Sequence, residues 1–192
     1  AIKNEVSNLK GVTAENSGMA NVVFGNKSNS SLIVGTTSDY FIIKDWEVEQ
    51  GRIFEEGELS SGKSVCILGT TVVKNLFGDE NPIGATIRRK NVPCSVIGVL
   101  ASKGASSFGR DQDEVVITPL KMYQRKIQGN LDVSSIIVSV MEEKYIEDAK
   151  EQIISLMQDR RAVKVGEADN FHIRDMKDIL NTMTSTTKML TY

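Results

Sequence analysis

Gly57, Gly62, Lys63 and Ser64 stand in the order G-x-x-x-x-G-K-S, the spacing with which glycine-rich loops cradle nucleotide phosphates. That chemistry needs a strand before the loop and a helix after it, so that the amide groups of the helix N-terminus meet the phosphates. Here the preceding residues, Glu55 and Glu56, are acidic, and residues 64–68 are strand-like. Glu55 and Glu58 would face the very phosphates the loop should attract. No later apolar run ends in an Asp suited to holding magnesium. The spacing therefore reads as a polar turn leading into a strand, and nucleotide hydrolysis is the weaker reading.

Other residue types with chemical potential are as poorly supported. Asp111, Asp113 and Glu114 invite a calcium site, but the glycine and the distal bidentate glutamate of an EF-hand loop are missing. They read as a solvated acidic turn. The single histidine, His172, has no Ser or Cys at a suggestive spacing, so a structural role is expected of it. Two cysteines and one histidine lack the ligand spacing of a metal site. Cys66 and Cys94 both fall in apolar runs; buried thiols and a disulfide between neighbouring strands both fit them. No catalytic, cofactor-binding or metal-binding residue is expected.

The elements that would position any site come from the apolar patterning. At 192 residues the chain is long enough to build its own core, and its net charge of -2 leaves no footprint for nucleic acid. No apolar run approaches the roughly 18 residues of a membrane span. Residues 65–68 read as a buried strand, Val72, Val73, Leu76 and Phe77 as a helical face stopped at Gly78, and residues 86–89 and 94–100 as a hairpin. Ile2, Val6 and Leu9 suggest a short helix ending at Gly11. Residues 22–24 and 32–34 suggest strands separated by a polar loop over 25–30. Tyr40, Phe41, Ile42, Trp46 and Val48 form the main aromatic cluster, read as core with a docking surface as the alternative. Residues 102–113 read as a mobile loop, 115–117 as a strand stopped by Pro119, and 122–127 as a short helix closed near Gly129. A strand over 136–140 precedes a helix over 142–161, whose face is Ile146, Ala149, Ile153 and Met157. Val163, Val165, Phe171 and Ile173 suggest returning strands, and residues 174–190 a last helix. The alternation of elements indicates an α+β fold.

One succession carries a family resemblance. Gly35, Tyr40, Trp46, Gly51-Arg52, Phe54, the run 65–69, Leu76-Phe77-Gly78, Pro82-Ile83-Gly84, Ile87, Val96-Ile97-Gly98-Val99, Lys103-Gly104, and Asp113 through Pro119 to Arg125 and Gly129 keep their order and spacing across most of the chain. The pattern resembles the extracytoplasmic core domain of MacB-type ABC transporter permeases, within the FtsX/LolC-like superfamily. The resemblance implies a porter-like α/β subdomain from residues 1–52 and 131–192, with an inserted small α/β subdomain of the Sabre type over residues 53–130. Cys66 and Cys94 depart from it, standing where ordinary apolar residues are expected.

What the resemblance implies about function is non-enzymatic. Such a domain lies between two transmembrane helices on the outer side of the bacterial inner membrane and transmits ATP-driven motion to the export of an antibiotic, peptide or lipoprotein. The implied partners are a second copy of the permease, an adaptor protein and an ABC ATPase domain outside these residues; no cofactor is implied. On this reading the chain is a piece of a longer protein, its first helix continuing from one span and residues 176–190 leading into the next. A soluble ligand-binding or sensor module is the competing class. The candidate partner contacts are Arg88, Arg89 and Lys90 in one basic turn and Lys103, Ser106, Phe108 and Arg110 in the 102–110 loop.

Overall fold

A computed structural model of the chain describes residues 2–106 and 109–160. The elements, in order, are α1 (Ile2–Glu5), β1 (Leu9–Phe24), β2 (Lys27–Thr36), α2 (Asp39–Ile43), β3 (Val48–Gly51), α3 (Glu56–Ser61), β4 (Val65–Leu68), α4 (Thr70–Phe77), β5 (Thr86–Arg89), β6 (Val92–Leu100), β7 (Val115–Pro119), α5 (Leu120–Met122) running into a π-helical turn (Tyr123–Gln128), β8 (Ser135–Val140), a 3-10 turn (Glu143–Tyr145) and α6 (Ile146–Arg160). They fall into two compact units, residues 11–138 and the two chain ends, 1–10 with 139–192.

In the larger unit the strands run in the order β2, β7, β4, β6, β5, β1, β8, with β3 beside β6 and β1 also paired to β2. β4 and β7 are neighbours within it, and every residue of both is buried. The reason is visible in their period-two alternation. Cys66, Leu68 and Val116 point into one apolar cluster, while Val65, Ile67, Val115 and Ile117 point into another on the opposite face. A strand covered on both sides must be apolar at every position. The first cluster is closed by Val72, Leu76 and Phe77 of α4 together with Met122 and Tyr123. The second is closed by Tyr40 and Phe41 of α2, with Trp46 and Phe54. The aromatic cluster is therefore core, except that Ile42 is exposed.

Close approach fixes two glycines. A Cβ on Gly35 would lie 2.3 Å from Cβ of Tyr123, so β2 and the π-helical turn meet only because that side chain is absent. A Cβ on Gly69 would lie 2.1 Å from the Asp113 carbonyl oxygen.

Several sequence expectations are corrected. The expected polar loop over 25–30 is a tight turn at Gly25-Asn26, and Lys27–Thr36 is all strand, paired with β1 from Phe24 back to Asn16. Gly11 lies inside β1 rather than closing a helix, because α1 ends at Glu5. Residues 57–61 are no polar turn but part of α3, whose C-cap Gly62 is left-handed at φ 70°.

In the smaller unit, Ile2, Val6, Ala149 and Ile153 are buried. Ser7 N–H donates to Gln152 Oε1 at 3.1 Å, and Arg160 pairs with Glu5 at 2.6 Å. The expected face of α6 thus packs through its two central members. Residues 163–190, including His172, lie outside the described residues.

Candidate partner-binding surface

The stretch that mimics a phosphate loop is occupied by other interactions. Gly57 lies inside α3, and the chain passes from Gly62 through Lys63 directly into β4, so no helix N-terminus follows the glycine-lysine pair. The Glu58 carboxylate is the hub. It accepts from both terminal nitrogens of Arg52, at 2.6 and 3.2 Å, and from the Glu55 N–H at 3.0 Å, completing one half of a capping box. Lys63 Nζ stands 3.9 Å from the same carboxylate. The Arg52 hydrogen bond above all holds the Glu58 carboxyl below the usual glutamate range, against the opposing effect of burial.

The expected acidic turn proves to be a buried anchor. Asp113 is only 3% exposed, so the solvated reading is wrong for it. Its carboxylate accepts from Lys103 N–H at 2.8 Å, Gly104 N–H at 2.9 Å and the Ser102 hydroxyl at 2.8 Å. Burial pushes its carboxyl upward, but these bonds, with a further one from Thr70, outweigh it and the net shift is downward. Asp111 accepts from Thr71 Oγ1 at 2.6 Å and from Asp113 N–H at 2.9 Å. The segment expected to be a mobile loop is therefore fastened at both ends, with a single bridge between Ala105 and Asp111 inside it. Among the described residues no group of carboxylates, histidines or cysteines is placed to hold a metal ion.

The expected contact residues lie at the two ends of β6. At the far end, Lys103 Nζ sits 4.8 Å from the Trp46 ring centroid and donates to the Lys44 carbonyl; Trp46 in turn donates from Nε1 to the Ala101 carbonyl at 2.7 Å. Burial lowers the Lys103 ammonium pKa, and neighbouring Lys44 adds to that. Ser106 N–H donates to the Arg110 carbonyl at 2.7 Å, and the Arg110 guanidinium reaches Met19 Sδ at 3.1 Å. Phe108 lies outside the described residues.

At the near end, Arg88 and Arg89 close β5 and Lys90 opens the β5–β6 turn at φ 52°. Arg88 and Arg89 border a small apolar cleft whose other walls include Val92, Met122 and Ile127. Arg89 Nε is buried there with no hydrogen-bond partner. Sequence reasoning missed a further group of cations on α5 and the π-helical turn. Lys121 donates to the Ser60 carbonyl at 2.8 Å, Arg125 to the Ser61 carbonyl at 3.2 Å, and Lys126 to Ser64 Oγ. Lys121 and Arg125 meet the carbonyl end of α3, where positive charge is favoured. The i, i+4, i+5 spacing of the three was legible, but its neighbour in space was not.

Residues 1–156 match the model of the MacB-like periplasmic core domain. The chain belongs to that family. Among curated relatives of this MacB type, macrolide export ATP-binding/permease proteins of Chlorobium phaeobacteroides and Chlorobium luteolum are 36% and 33% identical over 96% and 95% of the chain. The chain spans 27% of the length of each. Two solved structures share its fold. The periplasmic region of MacB from Actinobacillus actinomycetemcomitans superposes with a TM-score of 0.78, at 24% identity, over 95% of this chain and 79% of that one. The extracellular domain of the Gram-positive transporter YknZ gives 0.72 at 23% identity, over 85% and 83% of the two chains. This MacB-like chain is thus an α+β domain of an ABC transporter permease, on the periplasmic side of the inner membrane.

Proposed function

We propose that the chain is the moving outer part of an exporter. Closure of ATP-binding domains, outside these residues, is carried by flanking transmembrane helices to this domain, whose displacement drives export of an antibiotic, peptide or lipoprotein. The permease works as a homodimer and docks a periplasmic adaptor. The observation that carries the reading is the family match over residues 1–156, and relatives named for macrolide export support its substrate class. Residues 1–52 and 131–192 are assigned to the porter-like subdomain and 53–130 to the Sabre-like one. On that assignment the two share a sheet, because β2 and β3 precede residue 53 while β4 to β7 follow it.

The adaptor contacts are assigned to the two ends of β6: Arg88, Arg89 and Lys90, and Lys103, Ser106, Phe108 and Arg110. Lys121, Arg125 and Lys126 extend the first. A basic face beside an apolar cleft suits a partner that brings carboxylates around an apolar side chain. Reversing the exposed charges in Arg88→Glu, Lys90→Glu and Lys126→Glu together is expected to weaken adaptor pull-down by the full-length permease at least about tenfold. Undiminished binding counts against this face. The transporter reading also requires an apolar span of about 20 residues on each side of the chain in the complete reading frame, and is abandoned if both are missing.

A further inference from the structure

The chain has two cysteines, and the fold brings them together. Cys66 lies on β4 opposite Val96 of its parallel neighbour β6. Cys94 lies two residues before Val96 on the same strand and therefore projects to the same face. Both belong to one apolar cluster, with exposures of 0% and 6%. The Cys66 thiol donates to the Ser95 carbonyl at 3.6 Å, and its other polar neighbour is the Cys94 sulfur. Both are free thiols here. The family places the chain on the periplasmic side of the membrane, where thiol pairs are exposed to oxidation.

We propose that Cys66 and Cys94 become joined by a disulfide as the exported chain folds, stapling β4 to β6 beside the register shift between Cys66 and Ile67. The oxidant is a disulfide, carried by a protein or a small molecule. One cysteine, as thiolate, attacks a sulfur of that disulfide, giving a mixed disulfide and releasing one thiolate. The second cysteine then attacks the protein-side sulfur, forming the Cys66–Cys94 bond and releasing the other thiolate. The pair loses two electrons and two protons, and the oxidant ends as two thiols. Burial drives the Cys66 thiol strongly toward its protonated form, so the folded, reduced domain reacts slowly. The bond forms before the strands close. It brackets α4 and β5, and stabilises chiefly by restricting the unfolded chain. The proposal depends only on which side of the membrane the chain lies, not on adaptor or cargo.

The test is to isolate the chain after export to the periplasm, unfold it with an alkylating reagent and no reductant, and weigh it. The expected product carries no alkyl group and is lighter by two hydrogens than the reduced chain. Prior reduction should restore two alkylation sites and lower the melting temperature by about 10 °C. In Cys66→Ser one site is alkylated without reduction, and reductant should leave the melting temperature unchanged. Two alkyl groups on the unreduced exported chain overturn the proposal, as does an equal reductant-dependent shift in Cys66→Ser.

Discussion

Asp113 and Lys63 show how far a residue's meaning depends on what surrounds it. Asp113 is charged, buried and ringed by donors from Ser102, Lys103 and Gly104, so replacing it removes the acceptor and leaves those donors facing an apolar wall. Asp113→Ala is expected to cost about 3 kcal/mol in urea unfolding. Its folded pKa lies below the unfolded value, as does that of Glu58. Their contribution is therefore fully present above the unfolded carboxylate values and is lost as pH falls through the folded ones. The urea midpoint should drop progressively below about pH 4, and Asp113→Asn should flatten that drop. Lys63, by contrast, is a surface cation beside Glu58. Titration calorimetry with ATP is expected to show no binding by the chain, and micromolar affinity lost in Lys63→Ala would contradict the reading of α3. The letters of the phosphate loop were misleading, and the acidic neighbours and the absence of a helix after Lys63 separated the two meanings. The anchor role of Asp113 had no sequence signal beyond an acid placed before a buried strand.

Elements were legible where burial dictates pattern. β4 coincides with the apolar run that announces it, β5 with the first arm of the expected hairpin, and the helix expected from Val72, Val73, Leu76 and Phe77 is α4. Ladder hydrogen bonds, however, need no apolar side chain. The polar residues Asn29, Ser30 and Ser31 pair with β1 through their backbones, and so read as loop. The π-helical turn over Tyr123–Gln128 differs from an α-helix by one residue in its hydrogen-bond step, too little to appear in so short a pattern. Its tight seat on β2 gives an element-scale prediction. Gly35→Ala pushes a methyl group into Tyr123, and overpacking of this kind should cost about 1–3 kcal/mol. Chemical unfolding should show it, and Tyr123→Gly in the same chain should recover part of the loss by opening the seat. An unchanged midpoint in Gly35→Ala would mean that the turn is not held against β2.

For the molecule as a whole, family membership was legible because glycines, prolines and aromatics at fixed separations mark turns and core positions over most of the chain. The cations were only half legible: Arg88, Arg89 and Lys90 adjoin in sequence, whereas Lys121 and Arg125 meet α3, and Lys126 meets Ser64, through the fold alone. The central claim, that this domain moves when ATP is bound elsewhere in the permease, makes a direct demand. Spin labels at Lys90, an exposed turn position, in the two copies of the full-length homodimer report the distance between the outer domains. A non-hydrolysable ATP analogue is predicted to shift the distance distribution by several ångströms relative to the nucleotide-free state. Superimposable distributions in the two states, in a permease that binds the analogue, would contradict it.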